Sequence, residues 1–190
     1  GVSIVGNLIE NTTGRGIYMG GGRDCVVKNN IMIATDRFAI EYDSRMHDSV
    51  FTEYGWFSTA NIDHMQEELK TILDTNDVWE EAFPTLATIN FNYAEATDIF
   101  DPTLFINPVN IIVSNNIHSD GGDKRVYVDA IEQGGLKQYN TNENNWKIKL
   151  TDFVDYENGD YRLRTDAAVY KRLPGWEDIP LEEMGRVVEQ

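Results

Sequence analysis

The amino-acid sequence predicts an all-β fold: a parallel β-helix (solenoid) with a mainly helical insertion and a C-terminal cap. Two observations predict it. A short pattern recurs in VSIVGNLIENT (2–12), CVVKNNIMIAT (25–35) and NIIVSNNIHSD (110–120). The first two copies also keep a 23-residue register beyond the pattern, so that Arg15-Gly16-Ile17-Tyr18-Met19 falls on Phe38-Ala39-Ile40-Glu41-Tyr42. Short alternating strands at such a period suit one coil of a solenoid, in which each strand pairs with its equivalent in the next coil.

Taken in order, each repeat contains an apolar residue three positions before an Asn and a second apolar residue after it. Ile4, Val27 and Val113 are expected to stack as an aliphatic column, and Asn7, Asn30 and Asn116 as an Asn ladder. The 17 Asn and 15 Gly suit turns that need left-handed backbone. Residues 46–107 break the register and read as an insertion. Within it, Met65, Leu69, Ile72 and Leu73 lie at helical spacing, with Asn61 or Asp63 as a cap, and VWEEAF forms a second helix stopped by Pro84. Trp56, Phe57, Trp79 and Phe83 are expected to pack the insertion onto the barrel, with sugar stacking as the other use of such rings. The repeat resumes loosely through KRVYVDAI (124–131), and Asn158-Gly159 turns a closing hairpin or a last half-coil between Phe153-Val154 and Tyr161-Arg162-Leu163. Residues 171–190, with Pro174, Trp176, Ile179, Pro180 and Leu181, read as a cap over the final rung.

Composition narrows the function classes. Sixteen Lys plus Arg against 32 Asp plus Glu leave a net charge of −16, with no basic stripe, which disfavours nucleic acid and anionic lipid surfaces. The single Cys excludes an internal disulfide framework and a Cys-rich zinc site. No apolar run approaches the ~18–20 residues that span a bilayer. Gly20-Gly21-Gly22 lacks the Gly-Lys-Ser/Thr of a phosphate loop and reads as a turn. His64 and His118 have no evident partners in the sequence, so no metal site is assigned. Calcium is left open as the one cofactor by the 32 acidic residues, although no D-x-D-x-D-G loop occurs.

GRGIYMGGGRDCVVKNNIMIATDRFAIEYDSR resembles the later coils of bacterial right-handed parallel β-helix proteins of the glycoside hydrolase and polysaccharide lyase type. LKTILDTNDVWEEAFPTLATI is similar to their helical insertion, and FVDYENGDYRLRTDAAV to their closing strands. The resemblance implies a right-handed helix and a polysaccharide or oligosaccharide partner. It also implies an extracellular or periplasmic setting, and a chain that is the C-terminal part of a longer protein.

The candidate chemistry lies in Ala39-Ile40-Glu41-Tyr42-Asp43-Ser44-Arg45. Alternation puts Ile40 and Tyr42 on one face and Glu41, Asp43 and Arg45 on the other, with neighbours roughly 6.5–7 Å apart. Flexible carboxyl groups at that spacing meet the separations glycosidases use, about 5–5.5 Å or 6.5–9.5 Å. Glu41 and Asp43 are therefore the catalytic candidates, Asp43 first. Arg45 holds a carboxylate or a substrate anion, Tyr18 lies under Glu41 to flank a sugar, and Gly20 leaves space under Asp43. Arg23 and Asp24 reach the same face or pin the turn they sit in, and His47 is an acid, a base or a surface residue. The alternative for Glu41 and Asp43 is a solvated outer-face pair tied by Arg45. The expected function is glycoside hydrolysis by carboxylate acid/base catalysis. The alternatives are polysaccharide lyase chemistry, or a non-catalytic glycan-binding or structural module.

Overall fold

The computed structural model describes residues 1–43, 59–75, 78–91, 101–105, 107–119 and 136–184. Arg45, His47, Trp56, Phe57 and the stretch 124–131 lie outside the described residues.

The first rung consists of β1 (Ser3–Val5), β2 (Leu8–Glu10) and β3 (Ile17–Gly20), and the second of β4 (Val26–Lys28), β5 (Ile31–Ile33) and β6 (Ile40–Asp43). A third contributes β7 (Ile112–Ser114) and β8 (Ile117–His118), and a fourth β9 (Thr141–Glu143) and β10 (Trp146–Lys147). They stack as parallel sheets in the orders β1-β4-β7-β9, β10-β8-β5-β2 and β3-β6. This is the stacking expected of a β-solenoid. The 23-residue shift is the actual pairing: Ile4 faces Val27, Leu8 faces Ile31 and Ile17 faces Ile40.

Each rung turns its first corner with a residue in left-handed backbone: Gly6 (φ 68°), Asn29 (56°), Asn115 (52°) and Asn144 (53°). Gly and Asn tolerate that region best, which accounts for their abundance. The next residue in each rung is the ladder Asn. The Nδ2 group of Asn7 donates to Asn30 Oδ1, that of Asn30 to Asn116 Oδ1 and that of Asn116 to Asn145 Oδ1, each at 2.9 Å. The ladder therefore has a fourth member, Asn145, and the fourth rung is TNENNWK. In that rung Asn142 stands opposite Val113, so the Ile4–Val27–Val113 column ends in a polar, exposed residue that also accepts from Asn145.

Inside the stack, Ile17, Val27, Met32, Ile40, Tyr42, Ile111 and Val113 form one core, with Ile4, Ile9 and Met19 against it. The second sheet is apolar on its outer face too. Leu8, Ile31, Ile33, Ile117 and Trp146 pack there against Phe153, Val169, Leu173 and Ile179. The run Ile31-Met32-Ile33 is the signature of a strand buried on both sides.

The hairpin forms as expected, with β11 (Phe153–Asp155) antiparallel to β12 (Asp160–Leu163) and Gly159 at φ 82°. Where the tail goes differs from expectation. It does not simply lid the last rung: the hairpin and residues 173–181 run down the flank of the second sheet, with a short helix, α3 (Val169–Arg172), between them. Tyr161 reaches Glu10 in the first rung, while Asn29 and Asn115 donate to the carbonyls of Glu177 and Gly175. The apolar outer face of the second sheet is what draws the tail there.

In the insertion, α1 (Thr59–Leu73) begins before both expected caps, so Asn61 and Asp63 lie within the helix. Its apolar stripe is split, with Leu69 and Leu73 half-buried. Met65 is 46% and Ile72 48% exposed, whereas Gln66 is buried and donates to the Asn90 carbonyl. The second helix, α2 (Val78–Ala82), stacks Trp79 on Phe83, whose ring lies against Gly1 of the first rung.

Candidate functional site

The candidate face belongs to the third sheet. Tyr18 is the register partner of Glu41, and Gly20 that of Asp43. Ile17, Met19, Ile40 and Tyr42 point into the core, which turns Tyr18 and Glu41 outward. Glu41 is nevertheless only 4% exposed. It is thus neither solvated nor dependent on Arg45 for an ion pair. Arg15, from the loop before β3, grips it with both arms: Nε to Oε2 and Nη2 to Oε1, the latter at 3.1 Å. The Arg15 guanidinium also lies over the Tyr18 ring, 4.7 Å from its centroid. Fork-on-carboxylate geometry of this kind is strong and orienting.

The result is a small, rigid, outward-facing group made of an aromatic ring, a guanidinium and a carboxylate. Two residues further along β6 comes Asp43, opposite a glycine. With both Glu41 oxygens taken, the pair is asymmetric: one carboxylate is committed to holding Arg15. Arg15 was not among the sequence candidates. It lies 26 residues from Glu41, three off the period, so no column alignment pairs the two.

Arg23 and Asp24 do not join this face. Arg23 is 7% exposed, and its guanidinium donates to the carbonyls of Pro102, Leu104, Asn107 and Thr85 and to Thr85 Oγ1. Burial lowers its pKa, opposed by the neighbouring Asp24 charge. Asp24, at φ 53°, accepts from Thr85 Oγ1 and Asn110 Nδ2. Together they do pin a turn, and they also clamp the insertion to the stack. Arg45 and His47, assigned to substrate by the sequence, lie outside the described residues.

Among the described residues, no group of three or more His, Cys, Asp or Glu is arranged to hold a metal. No helix among them is long and apolar enough to cross a membrane. Cys25 is a free, buried thiol.

A second feature had no signal in the sequence. Two neighbouring cavities, about 370 and 610 Å³, open on the C-terminal flank and share Tyr161, Arg162, Leu181 and Glu182 in their walls. They form where the hairpin and the tail fail to close against each other. Comparison with family models, curated proteins and solved structures gives no match to this chain.

Proposed function

We propose that this chain is a carbohydrate-active, right-handed parallel β-helix segment of the glycoside hydrolase type. In this reading it engages a neutral glycan along the Tyr18–Glu41–Asp43 face, in an extracellular or periplasmic setting. The observation that carries the reading is the Arg15–Glu41 pair, held against Tyr18 on an outward strand face. A ring beside a fixed guanidinium suits a sugar, which presents C–H faces to the one and hydroxyl oxygens to the other. The net charge of −16 favours an uncharged glycan over a uronate or phosphate polymer. Glu41, bound through both oxygens, positions and stabilises, so proton transfer falls to Asp43.

The test is reducing-end release from neutral oligosaccharides by the chain and by Asp43→Asn. Hydrolysis that falls about 10²-fold or more in the variant supports the assignment. Unchanged turnover removes it. One observation favours a second reading, a binding module without turnover: hydrolysis uses two working carboxyl groups, and Glu41 is committed to Arg15. Binding without reducing-end release would select that reading. Calcium-dependent formation of an unsaturated product from a uronate polymer would select a lyase instead.

A further inference from the structure

We infer that the C-terminal flank holds a second, separate ligand site, a cleft for a short uncharged oligosaccharide. The two cavities fall within the ~300–1,000 Å³ range of small-ligand pockets, at about 370 and 610 Å³. The first is walled by Tyr161 and Trp176, and its floor reaches Ile31 on the outer face of β5. Aromatic and aliphatic walls of this kind suit the C–H faces of a pyranose.

The polar groups are held in place and only partly used. Arg162 donates through Nε and Nη2 to Asp160, at 2.8 and 2.6 Å, and through Nη1 to Glu182 Oε1, at 2.6 Å. A guanidinium carries five N–H groups, so two are left over. Asp178 is anchored in the same way, by Trp176 Nε1 and the Tyr170 hydroxyl. Arg162 thus sets leftover donors beside Glu182 Oε2, a carboxylate oxygen that accepts no bond within the described residues. A vicinal diol, whose hydroxyls each donate and accept, answers that arrangement.

Charge disfavours anionic ligands. The walls of the first cavity carry Arg162 against Asp178, Glu182 and Glu183, which repels phosphate and carboxylate ligands. The only wall cation is already neutralised by its two carboxylate partners. An uncharged polyol loses nothing in that field. The site shares no residue with the Tyr18–Glu41 face and does not depend on it.

The test uses the intact 190-residue chain titrated calorimetrically with cellotetraose, maltotetraose, mannotetraose and xylotetraose, and with tetragalacturonate as the anionic counterpart. At least one neutral tetrasaccharide should bind and tetragalacturonate should not. Arg162→Ala and the more conservative Glu182→Gln should each weaken that binding about tenfold, the equivalent of one lost charged hydrogen bond. Glu182 has a largely exposed side chain, so its variant keeps the fold, and an unchanged thermal melt confirms this. Tyr18→Ala should leave the flank affinity as it was. Three outcomes overturn the inference: no binding by any neutral tetrasaccharide, preferential binding of tetragalacturonate, or binding that ignores Arg162 and Glu182. If binding ignores those two and vanishes in Tyr18→Ala, the third-sheet site stands and the flank site falls.

Discussion

Replacing Asn30 by Ala is expected to cost the fold about 4 kcal/mol, counting about 1 kcal/mol for each hydrogen bond lost. Asn30 is fully buried in the middle of the ladder. Its Oδ1 accepts from the backbone N–H and the Nδ2 of Asn7, and its Nδ2 donates to Ile4 O, Lys28 O and Asn116 Oδ1. An amide has two protons, so the three donated contacts share two of them. Four protons are therefore orphaned or removed, around a side chain that is itself fully buried. That is a large part of a typical stability of about 5–15 kcal/mol. With a urea slope of roughly 2 kcal/mol/M, the midpoint should fall by about 2 M. Asn7→Ala is the internal control. Asn7 is half-buried at the first end of the ladder, its Nδ2 donates only to Val5 O and Asn30 Oδ1, and its backbone N–H keeps the bond to Asn30 Oδ1 in the variant, so its midpoint should move by less than about 1 M. Equal shifts for the two variants would refute the argument that the buried ladder, rather than any Asn at a turn, holds the rungs together.

Three other outcomes follow from the geometry. Arg23→Lys keeps the charge but not the fork that reaches four carbonyls and Thr85 Oγ1; it should cost roughly 2–3 kcal/mol and open residues 78–91 and 101–105 to limited proteolysis before the rungs melt. Gly175→Ala places a Cβ 2.5 Å from Asn115 Nδ2, so the tail should lift at that point, with a loss of about 1–3 kcal/mol in chemical denaturation. Stability should also decline between about pH 10 and 12. The hydrogen bond to Glu10, with burial, raises the Tyr161 pKa to about 12, and burial with the bond to Asp178 raises Tyr170 to about 12. The unfolded chain gives up these protons near the ordinary value of 10.0 while the folded one keeps them. The stabilisation is therefore complete below pH 10 and gone once the folded groups ionise. Denaturant titrations across that window should show a shallower decline in Tyr161→Phe, and an unchanged slope would count against the Tyr161–Glu10 contact.

The stack was legible in the sequence because its physics is periodic. Ile4, Val27 and Val113 share a column, and Asn7, Asn30 and Asn116 share a turn, so one shift reveals both. The fourth rung escaped because its column residue is Asn142, which ends the aliphatic row, and because β10 is only two residues long. The path of the tail was concealed for a different reason. Leu8, Ile31, Ile117 and Trp146 look like ordinary strand residues until Met32 is seen to point the other way, leaving an apolar outer face that needs a cover. At the candidate face, the 23-residue register was enough to pair Tyr18 with Glu41, and alternation to turn both outward. It offered no route to Arg15, which sits in a loop and reaches across a rung. The Arg23 clamp spans 62 to 84 residues, a distance that no local pattern encodes.

The asparagine column also has a sense of direction. The backbone N–H of Asn7, Asn30 and Asn116 donates to the same Oδ1 that the side chain addresses in the following rung. An amide turned end for end would present its NH₂ to that backbone N–H, donor against donor. The main chain thus votes on every side-chain orientation, and all the dipoles line up from the first rung to the fourth. Aligned amides polarise one another, so the column behaves as a one-way wire of small dipoles. Its first oxygen, on Asn7, and its last backbone N–H, on Asn145, are complementary ends of opposite polarity.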